Sequence, residues 1–78
     1  MTAIEASVFT PYVRARRYAL VELFLVRVLD LAPADAPAEA AALQHAVSER
    51  LLVRIDEMLG WPVRDLRGRR IPRPDGWL

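Results

Sequence analysis

Tyr18-Ala19-Leu20-Val21-Glu22-Leu23-Phe24-Leu25-Val26-Arg27-Val28-Leu29-Asp30-Leu31 is a helix-length stretch with more apolar surface than a chain of 78 residues readily covers by itself. At about 100° per residue, Val13, Tyr18, Leu20, Val21, Phe24, Leu25, Val28, Leu29 and Leu31 fill roughly half of a helical wheel. Leu23 and Val26 fall on the opposite side, among Arg16, Glu22, Arg27 and Asp30, so the middle of this helix is apolar on most of its faces. A helix of that kind is buried on more than one side. The surplus predicts a partner.

A membrane span requires about 20 predominantly apolar residues, whereas Glu22, Arg27 and Asp30 interrupt this run. No membrane partner is therefore expected. No basic segment precedes an apolar core near Met1, so no secretory signal is read; the chain is expected to start at Met1 or Thr2 and to work in the cytoplasm.

At this length one small domain is the only reading, and it buries only about 60% of its unfolded surface on folding. Small domains compensate with disulfides, a metal or oligomerisation. With no cysteine and a single histidine, oligomerisation is the route left. All eleven basic residues are arginine, which points to a bacterial protein from a GC-rich genome. The absence of lysine excludes Schiff-base chemistry.

Around the opening stretch the chain divides into a leader arm over 1–10, a helical hairpin over 11–59 and a basic tail over 60–78. Thr10-Pro11 is a helix start, with the Thr hydroxyl at the N-cap and Pro at the first helical position. The first helix is predicted over about 11–31. Pro33, Asp35 and Pro37 break the chain and start a second helix over about 36–59, with Asp35 as its cap. That helix carries an apolar stripe of Ala40, Leu43, Val47, Leu51, Ile55, Met58 and Leu59. Gly60 is its left-handed closing residue, and Pro62 prevents continuation. The expected fold is all-α: an antiparallel hairpin that pairs with a second copy into a four-helix bundle, with Leu20, Phe24, Val28, Leu51 and Ile55 as the association core.

The tail sets Arg64, Arg67, Arg69, Arg70 and Arg73 against two aspartates, a net +3, while residues 1–59 carry six arginines and eight acids, a net −2. Three readings compete for it. It folds back onto its own hairpin, with arginines meeting Glu49, Asp56 and Glu57 while Trp61, Leu66, Ile71 and Trp77 cover the helix ends; or these five arginines bind nucleic acid phosphate; or they bind an acidic groove of another protein. Pro62, Gly68 and Pro72 leave no room for a recognition helix.

Arg14, Arg16 and Arg17 lie at the start of the first helix, where the helix dipole disfavours positive charge. Pairing with Asp56 and Glu57 offsets that cost, and binding of an anion is the sharper alternative. His45 and Glu49 share a helix face at a spacing that can seat a metal, but two ligands do not make a tight site, even though a symmetric dimer would double them. The pair reads as incidental. Ser48 near His45 lacks an oxyanion donor and an orienting acid, and Glu22 is expected to pair with an arginine. No enzyme activity and no cofactor are expected. The sequence therefore reads as a self-associating helical interaction or regulatory module. A small nucleic-acid-binding regulator and an accessory subunit of a larger complex are the alternatives.

Overall fold

The computed structural model describes residues 11–73. The leader arm, the Thr10 cap and Trp77 lie outside the described residues. Among the described residues the regular structure is entirely helical: α1 is Pro11–Arg27, α2 is Ala36–Leu43 and α3 is Glu49–Met58.

Helix α1 stops four residues before the predicted end. Asp30 takes the left-handed conformation at φ 59°, which a short polar side chain tolerates better than a bulky one. The amides of Val28 and Leu29 both turn back to the Phe24 carbonyl, at 2.9 and 3.2 Å, and Leu31 N–H donates to Leu25 O at 2.9 Å. Asp35 occupies the N-cap position of α2, but its side chain makes no capping bond. Pro37 sits within the first turn, where its missing N–H is harmless.

The predicted second helix is two helices. Ser48 interrupts it: extended at φ −72°, ψ 162°, it caps α3 by accepting the Leu51 N–H on its hydroxyl at 3.1 Å. A residue considered beside His45 for nucleophilic chemistry is thus a helix start, and the two-helix hairpin is replaced by three helices.

Helix α1 packs against both α2 and α3. Leu20, Val21 and Leu23, which point in different directions around α1, have no exposed surface, and Leu25 is also buried. Ala40 of α2, Val47 in the link between α2 and α3, Leu52 and Ile55 of α3, and Ile71 of the tail join this core. The apolar surplus of α1 is therefore covered within the chain, by two helices and a returning tail. Of the predicted association core, Leu20 and Ile55 are 0% and 5% exposed within the chain, Phe24 is half-buried, and Val28 and Leu51 are exposed at 42% and 50%.

Gly60 closes α3 at φ 77°, as read from the sequence, and Trp61 follows at φ 53°. Their amides donate to Glu57 O and Asp56 O, each at 2.9 Å. Trp61 and Leu66 do not cover the helix ends, since they remain 66% and 38% exposed. Ile71 does pack into the core.

The cap at Ser48 decides where α3 begins. Ser48→Ala is expected to lower unfolding free energy by about 1 kcal/mol in urea denaturation, with Ser48→Asp close to the parent. An unchanged midpoint for the alanine variant would mean that the cap contributes nothing.

Candidate functional site

Among the described residues three polar side chains are buried: Arg17, Glu22 and Gln44. Arg17 and Glu22 both project from α1, five residues and so roughly 140° apart.

Arg17 reaches the junction between α2 and α3. Its Nε and Nη2 donate to Gln44 O at 3.0 and 2.7 Å, Nη2 also donates to Val47 O, and Nη1 donates to Glu49 Oε2 at 2.7 Å. The carbonyls at a helix C-terminus lack intrahelical partners and carry the negative end of its dipole. A buried guanidinium meets both needs at the end of α2. Pairing of the early arginines was expected at the C-terminal turn of the second helix, and Arg16 does meet Asp56 at 3.2 Å. Arg17 instead meets the start of α3, and Glu57 pairs with Arg54 at 2.8 Å.

Glu22 is buried, with a side chain 1% exposed, and both of its oxygens are held by one guanidinium. Arg67 Nη1 donates to Oε1 at 2.9 Å and Nη2 to Oε2 at 2.8 Å. The fork geometry of arginine matches a carboxylate in this bidentate mode. The carboxylate raises the Arg67 pKa above its ordinary value, through the hydrogen bonds first and the charge second.

A tight turn delivers Arg67 to α1. Gly68 N–H donates to Asp65 O at 3.0 Å, with Gly68 at φ 82°, a region that favours a residue without Cβ. Asp65 Oδ1 accepts the backbone N–H groups of Arg67 and Arg69, both at 2.9 Å, and Oδ2 accepts Arg69 Nε at 3.3 Å. Desolvation pushes the Asp65 pKa up, but the amides of Arg69 and Arg67 and the Arg69 guanidinium more than reverse this, and the net shift is downward. Antiparallel pairing of Asp65 N with Arg69 O at 2.8 Å and of Ile71 N with Val63 O at 2.9 Å closes the segment.

Three of the five tail arginines are thus engaged within the chain: Arg67 with Glu22, Arg69 with Asp65, and Arg64, whose Nη1 donates to Gly68 O at 2.8 Å. Arg70 and Arg73 are exposed and line an open groove of about 580 Å³ with Tyr12, Trp61 and Ile71. The tail folds back as one reading expected, although its contact is Glu22 rather than the acids of the second helix. His45 is exposed, and Glu49, its expected companion, is the partner of Arg17. The buried Gln44 was not singled out by sequence; its Nε2 donates to Ala41 O at 3.4 Å, and its Oε1 has no partner.

Comparison with known proteins gives the family of this domain. The family described as "Iron dependent repressor, metal binding and dimerisation domain" matches residues 14–73, and the chain belongs to it. A solved structure described as "Manganese-dependent transcriptional repressor complex with manganese" is 45% identical, with a TM-score of 0.79 over 85% of this chain and 31% of that one. Another, described as "Manganese-dependent transcriptional repressor", is 46% identical, with a TM-score of 0.78 over 83% of this chain and 35% of its own. The chain thus spans about one third of the length of either relative. No curated protein matches it. No helix among the described residues is long and apolar enough to cross a membrane.

The family description includes a metal, and the donor set present does not fit one. Among the described residues no three His, Cys, Asp or Glu side chains come together. The buried carboxylate has both oxygens on a guanidinium, and the orphaned Gln44 Oε1 is a single neutral donor. Manganese-type cations favour several oxygen or imidazole ligands with carboxylates among them.

Arg17→Met is expected to cost roughly 2 kcal/mol or more, because it leaves the buried carbonyls of Gln44 and Val47 without donors. Glu49→Gln, at the 73% exposed end of the same ion pair, should cost under about 1 kcal/mol. Equal losses in denaturant titrations would show that the ion pair, and not the carbonyls, carries the effect. The lowered pKa of Asp65 means that its contribution is present above its ordinary value of 3.8 and is lost as the pH falls below that value. The protection of the Arg67 and Arg69 amides, measured as exchange relative to the intrinsic rate at each pH, is accordingly expected to fall on acidification below pH 3.8 and to be already lost at neutral pH in Asp65→Ala.

Proposed function

We propose that this chain is the dimerising, non-enzymatic regulatory part of a transcriptional repressor, and that two copies associate as a homodimer. The match of residues 14–73 to a repressor dimerisation domain carries the reading. The 45% identity to a repressor of which the chain spans 31% supports it.

The association surface draws on the part of the sequence-derived set that keeps exposed area. Val28 and Leu51 are exposed, and Met58, 67% exposed, lies seven residues after Leu51 on the same side of α3. Leu51 and Met58 border the buried face of α3 that holds Leu52 and Ile55. Large exposed aliphatic groups on an ordered helix are the usual material of a dimer contact. The accessory-subunit reading loses its basis, because it required an uncovered apolar face on α1.

DNA contact is not assigned to the arginine tail. With Arg64, Arg67 and Arg69 engaged inside the chain, the free cationic footprint of this segment is too small to supply much phosphate affinity. The domain contributes to repression by holding two repressor chains together.

Light scattering on the purified chain tests the reading. Twice the monomer mass is expected at both low and high salt, and the double variant Leu51→Glu, Met58→Glu should run as a monomer with an unchanged helical circular dichroism spectrum. A monomeric parent protein would sink the proposal; a dimeric double variant would move the interface elsewhere.

A further inference from the structure

A second conclusion rests on the family assignment and not on the dimer. In a family named for metal binding, the one acidic side chain buried among the described residues is neutralised by the protein itself. Glu22 sits on α1 with 1% of its side chain exposed, and both of its oxygens accept from Arg67. A divalent cation could use this carboxylate only by displacing a bidentate guanidinium and supplying the charge that the guanidinium now supplies.

The surroundings make that exchange unfavourable. Arg67 is held by the Asp65 to Gly68 turn, with its own backbone N–H on Asp65 Oδ1 at 2.9 Å, so its approach to Glu22 is built into the tail. The other candidate ligands are dispersed or engaged: Glu49 with Arg17, Asp56 with Arg16, Asp65 with Arg69 and the turn amides. The single histidine is exposed, and there is no cysteine. A buried guanidinium, Arg17, projects from the same helix as Glu22 and adds positive charge to the domain's interior.

We infer that Arg67 is a built-in cation: its guanidinium takes the buried Glu22 carboxylate in place of a divalent metal, and the domain holds its folded form with no resident metal of its own. Metal responsiveness is thereby replaced by a constitutive ion pair between the tail and α1.

The first measurement is thermal unfolding of the whole 78-residue chain in MnCl2, in ZnCl2 and in EDTA, with calorimetric titration of Mn²⁺ at pH 7. The melting temperature is expected to be the same in all three, with no saturable heat. A specific site filled at about 100 times its Kd would raise the melting temperature of a domain this small by roughly 10 °C or more, and that shift would overturn the proposal. The second measurement asks whether Arg67 acts as a charge. Arg67→Ala is expected to lower the melting temperature by roughly 10 °C or more by leaving a buried carboxylate unpaired, and adding Glu22→Met should recover most of the loss, since an apolar pair commonly replaces a buried ion pair without cost. Failure of the second substitution to recover stability would mean that Arg67 acts by packing, and the built-in cation would be rejected. Because the metal titration uses the unaltered chain, it decides the question even where Arg67→Ala does not fold. A monomeric chain that ignores metal would remove the dimer proposal while leaving this one standing.

Discussion

A charge can be buried only where opposite charge or well-aimed dipoles replace its hydration, and α1 buries two. Much of the architecture follows from that constraint. Arg17 and Glu22 leave the central helix roughly 140° apart, so each needs its partners from a different part of the chain. Arg17 finds them where α2 ends and α3 begins, gathering the Gln44 and Val47 carbonyls and the Glu49 carboxylate. Glu22 finds its partner 45 residues later in the tail. The two charges hold, respectively, the break between the shorter helices and the return of the C-terminal segment.

Between these polar anchors the apolar side chains of α1 are sealed by α2, α3 and Ile71. A small domain has little stability in reserve, and here a basic tail takes part in forming the core: Ile71 enters it while Arg67 neutralises it. Over its described residues, 60–73, the tail is part of the fold. The large apolar side chains that remain exposed on α3 and just after α1 are Met58, Leu29, Val53, Leu51 and Val28. Family description and donor chemistry then diverge, since the description names a metal while Glu22, the one acid buried among the described residues, has both oxygens on Arg67.

The sequence carried a good deal of this. The helical class, the central helix with apolar groups on most faces, Gly60 as a closing residue and the pairing of Arg16 with Asp56 were all legible, because each depends on spacing along one element or on a strong local conformational preference. The Ser48 start was legible in principle, as a capping residue followed by an acid, but the apolar stripe from Ala40 to Leu59 continues through it with helical spacing, and periodicity concealed the break. The end of α1 at Arg27 had a weaker signal, because Asp30 is a permitted left-handed residue and not a required one.

By itself, then, the sequence determined that the chain is helical, that α1 is buried on several sides, that Glu22 requires an arginine and that the tail is basic. Only the tertiary structure decided which groups meet these demands. Whether the apolar surplus of α1 is covered by a second molecule or by the chain itself depends on where α2, α3 and Ile71 lie, and any of eleven arginines could have answered Glu22. Local periodicity reports how much surface must be buried and how many charges must be paired, whereas the identity of the partner depends on contacts between residues far apart in the chain, whose formation is settled by the packing of the whole domain.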